Sequence, residues 1–219
     1  MALLLVIHGY RDSFLLLNGI HMPLLDYLMF VLTWFGDSLF IGSLVVLVFP
    51  RHISLQIMII LSVAVSGLLA QALKQWLFSG WDRPLKVFDG QELVHFIGNY
   101  KLYHRSFPSG HSVTTGAAFT VLAGYLRDKK AWVIMCGLFT VMVSYTRIYL
   151  GSHFPGDVLA GSMLGTGMSV LMILSFEKKL HHWITAWPVN TTLVYRRAIG
   201  IIAFAGIIVS VIKYLEYLY

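Results

Sequence analysis

The chain has 219 residues, of which 58% are hydrophobic and only 12% charged, whereas a soluble domain is nearer half apolar and a quarter charged. Together with a mean hydropathy of +0.75, this excludes an ordinary soluble domain, and the length suits one compact membrane bundle better than an anchor plus a soluble domain. The net charge of +6 does not argue for nucleic acid, because the basic residues sit in short loops between apolar runs, where membrane topology puts them.

The start, Met1 to Ile7, is apolar but short and lacks a basic lead, so it does not read as a cleavable signal peptide. Residues 1–22 are expected to form an interfacial segment. A helix over about residues 10 to 20 would dip Phe14, Leu15, Leu16 and Leu17 into lipid. Beyond it, six stretches approach the ~20 apolar residues that a helical span requires. They run from about Pro23 to Phe49 (interrupted at Gly36-Asp37), Ile53 to Phe78, Ser109 to just before Arg127, Ala131 to Tyr149, Pro155 to Phe176, and Ala198 to Val211. In the first, an unpaired carboxylate at membrane depth would be costly. Asp37 is therefore expected to cap the second piece of a broken helix. Cys136 is the chain's one cysteine and forms no intrachain disulfide; it reads as a buried thiol. The expected fold is all-α: a polytopic membrane helix bundle of about six transmembrane helices behind an N-terminal interfacial helix, forming one domain over 1–219.

Two loops carry the unusual polar residues. Residues 79–108 form an insertion long enough to suggest function, and a short loop runs from Arg147 to Pro155. Lys74 closes the second span, and Arg83-Pro84 follow. Ser109, Gly110 and His111 open the third span, where free N–H groups and the helix dipole make an anion site. Gly110 lets an anion approach the backbone, and His111 in the first turn could deliver a proton to it. Arg147 ends the fourth span and offers a bidentate fork for phosphate. Pro155 suits the first turn of the fifth, from which Asp157 can reach back to His153. A carboxylate on one ring nitrogen fixes the other as a lone-pair donor, which makes a nucleophile or a base. Fixed cations, helix-start N–H groups and two histidines on one face describe a phosphate site. The residues alone leave open which group is the nucleophile.

Pro108-Ser109-Gly110-His111, and Arg147, His153 and Asp157 at R-x5-H-x3-D spacing, resemble the second and third signature motifs of the type 2 phosphatidic acid phosphatase superfamily. The first motif of that family, K-x6-R-P, appears as Lys74-x8-Arg83-Pro84, two residues longer, and Thr146 stands where the third motif usually has Ser. The resemblance covers about residues 20 to 176. It implies a metal-independent phosphatase without a cofactor. In it His153 attacks phosphorus to form a phosphohistidine, Asp157 orients His153, and His111 protonates the leaving oxygen. Lys74, Arg83, Ser109, Gly110 and Arg147 would hold the phosphate oxygens.

A site at helix ends beside apolar spans suits a phosphate on a lipid: a prenyl diphosphate, phosphatidylglycerol phosphate, phosphatidic acid or a lipid A-type phosphate. The expected partners are that substrate and membrane lipids, not nucleic acid. Basic residues number eight on each face of a six-span arrangement. Setting aside Lys74, Arg83 and Arg147 as site residues leaves the excess on the face of Arg51, Arg127, Lys129 and Lys130, which would make that face cytoplasmic. The site would then face outward from a bacterial-type plasma membrane. Three other functions share some features. A metal hydrolase could use His111, His153 and Asp157 as ligands, though crowded cations oppose a divalent metal. A transporter would carry its polar groups near the midplane between repeats. A phosphotransferase would differ only in its acceptor. The remaining histidines, at 8, 21, 52, 95, 104, 181 and 182, read as structural.

Overall fold

A computed structural model describes residues 1–88, 93–98 and 101–217 of the chain. Part of the 79–108 insertion, at 89–92 and 99–100, therefore lies outside the described residues. The architecture is an all-helical bundle, as expected.

Helix α1 (Ala2–Asn18) is interrupted at Gly9, whose φ of 73° is one that glycine adopts at little cost. Helix α2 (Pro23–Leu32) starts on proline and runs into a 3-10 turn, Thr33–Gly36. The side chain of Asp37 then accepts from the N–H groups of Leu39 and Phe40 at 3.0 and 3.1 Å and caps α3 (Ser38–Val48). The expected break and its cap are both present. Helix α4 (Ile53–Ala72) ends in a π turn, Leu73–Leu77, and α5 is a single turn, Pro84–Val87. Helices α6 (Gly110–Tyr125), α7 (Lys130–Tyr149), α8 (Pro155–Thr185) and α9 (Val189–Glu216) complete the bundle.

Among the described residues, four helices are long and apolar enough to cross a membrane: Ile53–Leu77, Lys130–Tyr149, Pro155–Thr185 and Val189–Glu216. A fifth is added if Ala2–Asn18 and Pro23–Gly36, bent by 113°, count as one broken span. The other stretches read as spans in sequence form shorter helices. The capped break leaves α3 as an 11-residue piece, and α6, at 16 residues, is ~24 Å long. Helices α8 and α9 extend beyond their apolar windows, because charged residues are comfortable where a helix leaves the hydrocarbon.

Helix α6 lies at the centre, against α4, α7 and α8. Its seam with α8 depends on glycine. A β-carbon at Gly165 would lie 2.1 Å from the Val113 carbonyl oxygen, and one at Gly161 would lie 2.5 Å from that of Ser109. Small residues at such positions let backbones meet closely where lipid supplies no hydrophobic drive. An aliphatic core that includes Ile41, Ile59, Ala117 and Leu180 fills one end. A second cluster of Phe14, Leu85, Ile148, Phe154 and Val158 fills the other.

That second cluster corrects one expectation. Phe14 does not dip into lipid. It is fully buried against Phe154 and Phe88, and Leu15 and Leu17 pack beside the same cluster. Only Leu16 of that set is largely exposed. Helix α1 therefore packs on the bundle as part of the wall of the site.

Candidate active site

Lys74, Arg83, Gly110, His111, Arg147 and His153 line one cavity of about 210 Å³. They come from four separate stretches of chain. The π turn brings Lys74 to the cavity despite the longer spacing to Arg83, and π turns of this kind recur at functional sites. Arg83 is fixed by donating from Nε to the carbonyl of His104 (2.9 Å) and from a terminal nitrogen to the carbonyl of Ser152 (3.2 Å). The same terminal nitrogen lies 3.3 Å from Nε2 of His153. Arg147 donates to the Thr33 hydroxyl at 2.9 Å. Both arginine residues are only 8% exposed.

His153 sits on the loop between α7 and α8, with Nδ1 3.4 Å from Oδ2 of Asp157. Nε2 is therefore the nitrogen on Arg83's side, which is the orientation a nucleophile needs. Burial, and then the positive charges of Arg83, Lys74 and Arg147, hold His153 well below the usual imidazole range. The imidazole stays neutral at pH 7, and its Nε2 lone pair faces the Arg83 guanidinium, a contact that an incoming phosphate would have to take over.

Asp157 is fully buried and richly supplied with donors. It accepts from the Phe154 N–H at 2.9 Å, the Ser106 hydroxyl and the Tyr10 hydroxyl. A carboxylate so hydrogen-bonded is a fixed orienting group. Gly156, next to it, lies under the Tyr10 ring, where a β-carbon would come within 2.3 Å of a ring atom.

His111 stands in the first turn of α6 against Gly36. A β-carbon at Gly36 would lie 2.8 Å from that of His111. Its Nε2 is 3.2 Å from the Tyr214 hydroxyl. Ser109 does not line the cavity. It is buried, with its hydroxyl accepting from Ser112 at 3.1 Å and its N–H donating to the Asp157 carbonyl at 3.0 Å. It ties α6 to α8 beneath the site.

The structure adds residues that sequence reading missed: Tyr10, Thr33, Ser106, Lys213 and Tyr214. Ser106 stands just before Phe107-Pro108, so its neighbourhood was visible. The others come from the first helix, the 3-10 turn after α2 and the last helix, far from any motif. Several other histidines have structural partners. His95 pairs with Asp26 at 2.8 Å, His104 with Asp82 at 2.7 Å, and His52 with the Tyr125 hydroxyl at 2.7 Å. Trp81 packs edge-on to Tyr10 and against Phe78 and Phe107. Among the described residues, no three His, Cys, Asp or Glu side chains converge as a metal-ligand set.

A second, larger space adjoins the cavity. This groove of about 660 Å³ runs between α3, α4 and α6 and shares Lys74, Gly110 and His111 with the cavity. Its walls are mostly apolar, including Leu39, Ile60, Val63 and Leu68.

The family model of the PAP2 superfamily matches residues 56–181. A phosphatidylglycerophosphatase B from Bacillus subtilis is 31% identical over 174 residues, which is 74% of this chain and 79% of that protein. Two crystal structures superpose well. Aquifex aeolicus LpxE gives a TM-score of 0.66 at 26% identity, covering 75% of this chain and 94% of its own. A PAP2-type phosphatidylglycerolphosphate phosphatase from Bacillus subtilis gives 0.62 at 27% identity, covering 81% and 90%.

Proposed function

The chain belongs to the PAP2 superfamily, and on that premise we propose that it is a membrane phosphatase that removes a phosphate or diphosphate-terminal phosphate from a lipid, through a phosphohistidine on His153. The observation that carries the lipid reading is the shared wall of the two spaces. A phosphate in the cationic cavity would place its leaving oxygen beside His111, and His111 also borders the apolar groove. The headgroup and chain of one lipid fit the two spaces together.

The chemistry follows from the side chains. Nε2 of His153 attacks phosphorus while Asp157 takes the Nδ1 proton's hydrogen bond and stabilises the charge that develops. The bond from phosphorus to the leaving oxygen breaks as His111 gives that oxygen a proton. Water then gives its proton to His111 and attacks phosphorus. The N–P bond breaks, inorganic phosphate leaves, and both histidines return to their starting states. Lys74, Arg83 and Arg147 balance the charge on the equatorial oxygens throughout. None of these steps requires a metal, and the four cations that line the cavity, Lys74, Arg83, Arg147 and Lys213, favour an anion over a divalent ion.

Phosphatidylglycerol phosphate is the first substrate to try, given the name of the Bacillus relative. Prenyl diphosphates, phosphatidic acid and lipid A-type phosphates are the others. We place the cavity on the outer side of a bacterial-type plasma membrane. This rests on the basic residues that crowd the opposite end, among them Arg51, Lys129, Lys130, Lys178 and Lys179. The test is phosphate release by purified protein in detergent with EDTA, across those lipids. One lipid should be hydrolysed well above the rest, in chelator. Activity that chelation removes would contradict the mechanism, and release that appears only with a second lipid as acceptor would make the protein a phosphotransferase.

A further inference from the structure

The last helix lies outside the region that matches the family, residues 56–181, yet it reaches the site. Tyr214 of α9 is 2% exposed. Its ring stacks on Trp34 (centroids 5.1 Å apart, planes at 22°) and meets the edge of Phe30. Lys213, one residue before, pairs with Asp37 at 2.7 Å and so pins this turn of α9 to the start of α3. At mid-helix, Gly206 lets α9 lie against Ser43, where a β-carbon would come within 2.3 Å of the hydroxyl oxygen. The Tyr214 ring is thus held on several sides. Its hydroxyl has one hydrogen-bond partner among the described residues, Nε2 of His111. The imidazole is wedged between that hydroxyl and Gly36.

We infer that Tyr214 is the positioning residue of the general acid: it holds the His111 ring in register with the leaving oxygen in both protonation states. The inference rests on the reading of His111 given above. In the proposed cycle His111 is protonated before the first transfer and neutral after it. The phenol oxygen accepts from Nε2–H, so the proton handed to the leaving oxygen comes from Nδ1; Nε2 keeps its own proton through that transfer, and the same hydrogen bond holds the ring before and after it. Tyr214 is buried, and a hydrogen bond shielded from water orients its partner more strongly than an exposed one.

The test is Tyr214→Phe, which keeps the ring and its stacking. The readout is the rate of phosphoenzyme formation from a lipid phosphate, a poor leaving group, and from 4-nitrophenyl phosphate, a good one. Loss of one hydrogen bond should slow the lipid reaction about tenfold. It should leave the nitrophenyl reaction, KM and the thermal midpoint nearly unchanged. His111→Ala should show the same selectivity with a larger loss. Equal losses from both substrates in Tyr214→Phe, or no loss from either, beside a selective loss in His111→Ala, would overturn the role of Tyr214. An unselective loss in His111→Ala would overturn the reading of His111 itself, and the inference with it.

Discussion

The two ends of the bundle use arginine in opposite ways. At the loop end, Arg83 and Arg147 are 8% exposed and hydrogen-bond to backbone carbonyls, an imidazole and a threonine hydroxyl. At the other end, the Arg127 side chain is 66% exposed and faces Glu177 at 3.4 Å. Taking a charge out of water is expensive, so cations buried around two histidines call for an anion that repays the cost. Cations left in water at a helix end need only topology to explain them. One residue type thus has two meanings, and burial tells them apart.

The comparison can be broken by substitution. Arg147→Ala should lower kcat/KM by about 10²- to 10³-fold, the usual cost of removing one preorganised contact to developing charge. A loss of less than about fivefold in a steady-state assay would mean that the buried arginine is merely structural. Gly165→Val tests the seam that holds α6, and with it His111, against α8. With 2.1 Å between its β-carbon and the Val113 carbonyl, overpacking should cost ~1–3 kcal/mol or more, read as a lower thermal midpoint in detergent. An unchanged midpoint would show that the helices separate freely.

The loop-end arginine also makes a pH prediction. His153 is held below the usual imidazole range first by burial and next by Arg83. A lowered pKa keeps the proposed nucleophile neutral as pH falls, so the acid limb of kcat/KM should lie below about pH 6.5, the ordinary imidazole value. Arg83→Gln removes one of those charges, so the limb should move to higher pH. A shift to lower pH, or none, would contradict the electrostatic account. The smallest effect is expected at the other end. Arg127→Ala should change stability by about 0.5 kcal/mol or less and leave turnover intact, and a large loss of turnover there would erase the contrast.

Much of the site was legible in sequence because its parts are local. Ser109-Gly110-His111 sits at one helix start, and His153 and Asp157 are four residues apart across another. The spacing from Lys74 to Arg83 departs from the family pattern, yet both residues line the cavity. A π turn could not have been read from composition. The cap at Asp37 was readable because Gly36-Asp37 interrupts an apolar run. Tyr10 and Tyr214 were not, since their partners lie 147 and 103 residues away and no periodicity marks such a pairing. Phe14 was misplaced for a related reason. An apolar run near a terminus looks the same whether it faces lipid or packs against Phe154.

The central claim is that His153 carries the phosphoryl group. The most direct measurement is rapid acid-free quenching of the protein with a radiolabelled lipid phosphate in EDTA, followed by peptide mapping of the label. The account predicts an acid-labile, base-stable phosphate on the peptide that contains His153, absent in His153→Ala together with all turnover. Label on another residue, or phosphate release by His153→Ala at a rate comparable to the unsubstituted protein, would contradict it.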